Sequence, residues 1–239
     1  MGVSPPRYPL EAVLFAFAGT LAQVEEPIAW VDAAAQACGV RLPRPRATAL
    51  ADRLVAAGRP GGPVPRRVPP HLSEVWADRD LDAYAHRAAY TGLAESVDCG
   101  IDGLPDALYE RLLGTDGWLL YADTLPTLRA LLAAGILVGV VSNVGFDVRT
   151  LAARWGLADL VDVWALSYEV GRQKPDPAIF RYACAALGVD PERALMVGDS
   201  PADAGAVHVG CPVLIMPSAD PGGVNGLGRV LSLTTPAPS

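Results

Sequence analysis

The stretch Ala12-Val13-Leu14-Phe15-Ala16-Phe17-Ala18-Gly19-Thr20-Leu21 decides the fold. Its first six residues are unbroken apolar, with Val and Phe well represented, and a Gly-Thr turn ends the run. A strand buried on both faces of a parallel sheet reads this way, because helices cover both sides and no position needs a polar side chain. In open α/β sheets ligands sit outside the carboxyl ends of the strands, where the Gly19-Thr20 turn would lie. On pattern alone, Ala16 and Ala18 are two more small core residues.

Outward from that strand, the pattern turns helical from about residue 25 to 116. Pro27 suits the start of a helix running through Trp30, Val31 and Ala34 to Cys38, and Gly39 stops it. A second helix is predicted over 47–57, a Pro- and Gly-dense loop with Arg66 and Arg67 follows, and further helices are predicted at about 71–95 and 104–113. An insert of this size is an excursion from the sheet. The chain is therefore expected to form a core domain from 1–21 and 117–239, with a helical cap domain from 22–116.

The sheet pattern resumes at about Trp118. Asp123-Thr124 is read as the cap of a helix ending at Gly135, and further strands are predicted over 136–141, 161–166, 194–197 and 213–216. Helices at about 147–155, 177–187 and 202–209 alternate with them, which makes the core a doubly wound α/β parallel sheet. Residues 217–239, rich in Gly, Pro, Ser and Thr, read as a loosely held tail.

Composition narrows the function. A net charge of −7 and a pI near 4.9 argue against a nucleic acid polymer or an anionic membrane as the main partner. No apolar run approaches the roughly 18 residues a membrane span needs, and residues 1–10 do not resemble a secretory leader. The cysteines (Cys38, Cys99, Cys184, Cys211) form no Cys-x-x-Cys and the histidines are scattered, so neither zinc nor a disulfide framework is expected. The expected setting is a reducing cytoplasm.

Four predicted strand ends carry distinctive residues: Gly19-Thr20, Ser142-Asn143, Lys174-Pro175, and Asp199 with Asp203. Loops at the carboxyl ends of parallel strands converge, so these residues can share one site. A hydroxyl, an amide and a lysine suit phosphate oxygens. Two carboxylates four residues apart at a strand-to-helix turn suit Mg²⁺, which takes oxygen ligands and keeps several waters. Each pair alone is an ordinary turn; the ordered set is not.

With these motifs in order, the chain resembles the haloacid dehalogenase superfamily, specifically its phosphatases with a helical cap, actinobacterial in type. The resemblance spans nearly all of residues 10–216. The family's first motif is Phe-Asp-x-Asp-Gly-Thr-Leu, and Phe15-Ala16-Phe17-Ala18-Gly19-Thr20-Leu21 matches it except at both aspartates. The second is matched by Val141-Ser142-Asn143, the third by Glu169 to Pro177 around Lys174-Pro175, and the fourth by Val197-Gly198-Asp199-Ser200-Pro201-Ala202-Asp203.

The resemblance implies a set of roles. Position 16 is that of the nucleophile, which forms an aspartyl-phosphate, and position 18 that of the general acid and base. Ser142, Asn143 and Lys174 would bind the phosphate, and Gly19 and Thr20 would shape the loop around it. Asp199 would be a Mg²⁺ ligand and Asp203 either a direct ligand or one that acts through another group, joined by the Ala18 backbone carbonyl; the ligand expected from position 16 is lost. The implied substrate is a small phosphorylated metabolite, a nucleotide or sugar phosphate such as pseudouridine 5′-phosphate, covered from water by the cap. Cap candidates are Glu25, Arg66, Arg67, Tyr84 and His86. Oligomeric state stays open.

Methyl groups at 16 and 18 cannot attack phosphorus or carry a proton. The chain as it stands is expected to be inactive. Both changes fall on the two residues one would choose to stop the reaction, which favours a deliberately inactivated phosphatase. The alternative is a natural pseudoenzyme that binds a phosphorylated ligand or protein without hydrolysing it.

Overall fold

The structure is a computed structural model that describes residues 9–234. The described residues divide into two compact units, one made of residues 9–23 and 120–234, the other of residues 24–119. In chain order the elements are β1 (Ala12–Phe15), β2 (Ala22–Val24), α1 (Pro27–Ala37), α2 (Arg44–Ala57), α3 (Ser73–Asp78), α4 (Ala83–Glu95), α5 (Leu104–Leu113), β3 (Trp118–Leu120), α6 (Thr124–Ala133) and β4 (Leu137–Ser142). They continue as α7 (Arg149–Arg154), β5 (Val163–Leu166), α8 (Ser167–Val170), α9 (Pro177–Leu187), β6 (Ala194–Gly198), β7 (Val213–Ile215) and α10 (Gly228–Thr234).

The first unit is built on a five-stranded sheet in the order β5-β4-β1-β6-β7. Its ladders are parallel: Ala12 pairs with Leu137 on one side and Ala194 on the other, and Phe15 pairs with Val140 and Val197. The central strand is buried at every position, as its unbroken apolar sequence requires. Alternate side chains go to opposite faces. Ala12, Leu14 and Ala16 join Met196 of β6 and Ile179, Phe180, Ala183 and Cys184 of α9 in one core cluster. Gly139, the β4 partner of Leu14, makes room for it, since a Cβ there would lie 2.7 Å from a Leu14 methyl. Phe17, beyond the strand, stacks on Trp155 with ring centroids 6.5 Å apart.

The second unit is helical. Trp30, Val31, Ala34 and Ala35 of α1 recur at the spacing of one helix face and pack with Leu50, Ala51 and Leu54 of α2 and Leu104 and Leu108 of α5. Trp30 buries its ring and still satisfies its indole N–H, which donates to the Leu108 carbonyl at 3.0 Å. Among the described residues no helix is long and apolar enough to cross a membrane.

Four expectations need correction. β3 does not resume the parallel sheet; it pairs with β2 in a two-stranded sheet of its own. The predicted helix over 71–95 is broken at 79–82, where Asp82 caps α4 by accepting from the Ala85 N–H at 2.8 Å. Residues 202–209 wind as a 3-10 rather than an α-helix, over Asp203–Val209. Residues 217–227 are not loose: Asp123 is the N-cap of α6 as expected, but its side chain makes no cap bond and binds this segment instead. The last residues of the expected tail, 235–239, lie outside the described part.

Candidate active site

The site grows from the end of β1. Ala16 extends the ladder by donating its N–H to the Val197 carbonyl at 2.9 Å, and the chain then closes a tight loop. The Phe17 carbonyl accepts from the N–H groups of Thr20, Leu21 and Ala22, and the Gly19 N–H donates back to Ala22 at 2.8 Å. Gly19 sits at φ 76°, a backbone conformation that costs an L-residue with a Cβ roughly 1–2 kcal/mol. Ala16 is buried and Ala18 half-buried.

β6 delivers Asp199 beside this loop. Thr20 donates its hydroxyl to Asp199 Oδ1 at 3.2 Å, and Ser218 donates to Oδ2 at 3.1 Å. Burial, and then the Asp203 charge, push the Asp199 carboxyl above its ordinary range, against the opposing pull of the two hydroxyls and Lys174.

Asp203 is fully buried and saturated. Lys174 Nζ donates to its Oδ1 at 2.6 Å, while Oδ2 accepts from the Asp199 N–H, the Ser200 N–H and the Ser200 hydroxyl. Burial alone would raise its pKa; the ammonium charge and these bonds outweigh burial and hold it below the usual carboxylate range. Gly198 permits the arrangement, because a Cβ there would lie 2.2 Å from Asp203 Cγ.

Lys174 also donates to the Val141 carbonyl at 2.9 Å, so one of its three N–H groups is left for a ligand. Asn143 holds the lysine's loop from both sides. Its Nδ2 donates to the Lys174 carbonyl at 2.9 Å and its Oδ1 accepts the Lys174 N–H at 2.7 Å. These two bonds use the amide oxygen and one of the two Nδ2 N–H donors. Ser142, the last residue of β4, is buried next to it. The motif residues of β1, β4 and β6, with Lys174, thus form one cluster, joined by Thr20–Asp199, Asp199–Asp203, Asp203–Lys174 and Lys174–Asn143 bonds.

As the chain stands, these residues do not fit Mg²⁺ well. Among the described residues no three His, Cys, Asp or Glu side chains gather as a metal site. Asp203 is committed to Lys174 and Ser200, leaving Asp199 as the lone carboxylate with oxygens held only by hydroxyls.

The cap candidates disperse. Glu25 is buried in a two-bond pair with Arg111 at 2.7 and 2.9 Å, which makes it structural. Arg66 and Arg67 are exposed on their loop and Tyr84 is exposed on α4. His86 is buried, with Nδ1 2.8 Å from the Tyr109 hydroxyl. The arginine this unit does bury is Arg59, which lies 4.6 Å over the Trp30 ring and donates to the Glu25 carbonyl at 2.8 Å. Burial lowers its pKa to about 10. Sequence reasoning also missed Ser218, Asn225 and the side-chain partners of Asp123; the available signals were turn residues, Asp220-Pro221-Gly222-Gly223 and Asn225-Gly226, which say nothing of distant partners.

Residues 10–208 match the haloacid dehalogenase-like hydrolase family. The chain belongs to this family. Among haloacid dehalogenase-like relatives, a phosphoglycolate phosphatase of Rhodospirillum rubrum is 41% identical over 102 residues, 42% of each chain. A phosphoserine phosphatase of Thermus thermophilus is 54% identical over 46 residues, 19% of this chain and 18% of that one. These matches span less than half the length of the curated relatives. A solved phosphatase of the superfamily from Thermococcus onnurineus superposes with a TM-score of 0.58 at 26% identity, covering 94% of this chain and 97% of that one. A dehalogenase solved with an intermediate shares the fold, with a TM-score of 0.64 at 23% identity and 96% and 99% coverage.

Proposed function

We propose that this chain carries the binding half of a phosphomonoester hydrolase for a small phosphorylated metabolite, with its catalytic half removed at Ala16 and Ala18. One observation carries the reading. Thr20, Asp199, Asp203 and Lys174 are joined by hydrogen bonds beside the loop that follows β1, and that same stretch carries methyl groups at positions 16 and 18. Lys174 and Ser142 would hold phosphate oxygens, and Thr20 and Asp199 would fix the loop. Neither methyl can form a bond to phosphorus or move a proton. The substrate class is supported by relatives described as phosphoglycolate, phosphoserine and N-acetylmuramic acid 6-phosphate phosphatases.

Mg²⁺ belongs to this reading as a requirement of the restored enzyme. The family's pattern makes a carboxylate at position 16 a metal ligand together with Asp199. A second reading, a binding protein with no hydrolytic counterpart, is favoured by the self-contained bonding of Lys174 and Asp203, which needs neither missing carboxylate.

The deciding experiment is the double substitution Ala16→Asp with Ala18→Asp. It should release phosphate from at least one of phosphoglycolate, phosphoserine and pseudouridine 5′-phosphate when Mg²⁺ is added. Recovery of a general acid–base alone is worth roughly 10²–10⁴-fold. A folded double variant that is silent on the whole panel would favour the binding-protein reading instead.

A further inference from the structure

The segment after β7 is tied to the catalytic loop by one side chain. Asn225 is buried, and its Nδ2 donates to the carbonyls of both Gly19, at 3.3 Å, and Thr20, at 2.9 Å. Its Oδ1 accepts the Ala219 N–H at 2.9 Å. Its own N–H donates to Asp123 Oδ1 at 2.9 Å, and the Leu227 N–H donates to Asp123 Oδ2 at 2.7 Å. The Tyr121 hydroxyl adds a bond to the Ala219 carbonyl at 3.0 Å. Every polar group of the Asn225 side chain thus has a partner, and two of those partners are in the first-motif loop.

Those two carbonyls matter because the loop has left the sheet. Residues 19 and 20 lie beyond β1, so strand neighbours cannot supply donors, and a buried carbonyl without one is costly. The Nδ2 group satisfies both at once and fixes the orientation of two successive peptide planes. The same loop carries the Thr20 hydroxyl to Asp199, and Ser218, from the same segment as Asn225, reaches the other Asp199 oxygen. A chain of bonds therefore runs from Asp123 through Asn225 to the loop and on to Asp199.

We infer that Asn225, oriented by Asp123, is a positioning residue that sets the geometry of positions 16–20 relative to Asp199. It touches neither phosphate nor the reacting positions and acts through the Gly19 and Thr20 peptides. That it serves hydrolysis rests on the function proposed above; that it holds the loop does not.

The test separates the two. In the full chain as it stands, Asn225→Ala should accelerate hydrogen exchange of the amides of residues 19–22 by at least tenfold, leaving those of β4 and β6 within twofold. Asp123→Asn, a milder change that touches neither peptide, should raise exchange at the same residues by a smaller factor. In the Ala16→Asp, Ala18→Asp background, Asn225→Ala should lower kcat at least tenfold with KM changed less than threefold. Uniform acceleration across the sheet, or an unchanged loop in both variants, would overturn the inference; if Asn225→Ala does not fold, Asp123→Asn decides alone. An inactive aspartate background with a loosened loop would count against the hydrolase reading only.

Discussion

Asp199 lies so close to Gly19 that a Cβ on residue 19 would fall 2.2 Å from its Oδ2. The two belong to loops after neighbouring strands, β1 and β6, and the Thr20 hydroxyl reinforces the contact. Glycine is needed here for two separate reasons, a positive φ and the absence of a side chain. A side chain at residue 19 could be accommodated only by moving the Asp199 carboxylate or the loop itself.

Gly19→Ala separates these reasons when compared with Gly135→Ala. Both glycines have φ above 70°, but a Cβ at 135 would meet nothing within 4 Å. The Gly135 change should cost about 1–2 kcal/mol, the strain alone. The Gly19 change should cost about 2–4 kcal/mol, because Asp199 or the loop must also move. Urea melts of the two variants measure the difference; equal losses would refute the close-approach argument.

The Lys174–Asp203 pair should behave as a buried ion pair. Both side chains are nearly inaccessible, and Lys174→Met would strand Asp203 as an uncompensated charge. A loss of about 3–5 kcal/mol at pH 7 is expected, with at least half regained on adding Asp203→Asn. Because the Asp203 carboxyl is held below its ordinary range, the pair's contribution is complete above about pH 4 and drains as pH falls through the lowered value. Denaturation of the single and double variants at pH 7 and 3 checks both statements.

The sheet was legible because its strands are buried on both faces, so Ala12–Phe15, Leu137–Ser142 and Ala194–Gly198 differ from their surroundings in hydrophobicity alone. Trp118–Leu120 has the same local signature and a different partner, since pairing is decided by distant residues. The site residues at the strand ends were legible as motif positions. Their bonds were not. Asp123 before a helix satisfies every local rule for a cap, yet two backbone N–H groups about a hundred residues away claim its carboxylate. Asn143 likewise binds the Lys174 backbone, about thirty residues away, a contact that no local pattern shows. Non-local hydrogen bonding leaves no periodicity in a sequence, which is why Asn225 and Ser218 went unseen.

The helical unit should weaken in acid through His86. Burial, and then the nearby Arg79 charge, lower its pKa from about 6.5 to about 4, so the folded state keeps the ring neutral. Below about pH 6.5 the unfolded chain takes up a proton that the folded chain refuses. Stability is therefore unaffected above that value and falls as pH drops toward 4, by about 3 kcal/mol in all. His86→Gln should flatten this slope while leaving the loss below pH 4 that carboxylates cause. Melts followed by tryptophan fluorescence from pH 8 to 4 give the comparison, and parallel slopes for the two proteins would count against His86 as the source.

Methyl groups at 16 and 18 should also make ligand binding less dependent on Mg²⁺ than aspartates there would. In this chain Lys174, Asp199 and Asp203 give the cluster one net negative charge, whereas aspartates at 16 and 18 would add two more. Repulsion between unit charges 4 Å apart is about 4 kcal/mol at an effective dielectric of 20, an upper figure where water enters. A dianionic phosphate ester meets that repulsion twice in the Ala16→Asp, Ala18→Asp variant and escapes it here. Chelating Mg²⁺ should thus weaken binding of the ester by less than tenfold in this chain and by at least a hundredfold in the aspartate variant. Calorimetric titration of phosphoglycolate or phosphoserine into each protein, with Mg²⁺ and with chelator, measures this. Lys174→Ala should abolish what binding remains. Arg172, the other cation of that stretch, is exposed and lies 3.9 Å from Asp176 rather than turned to the cluster. Equal Mg²⁺ dependence in the two proteins, or binding that survives Lys174→Ala, would show that the phosphate is held by groups other than those assembled at the end of β1.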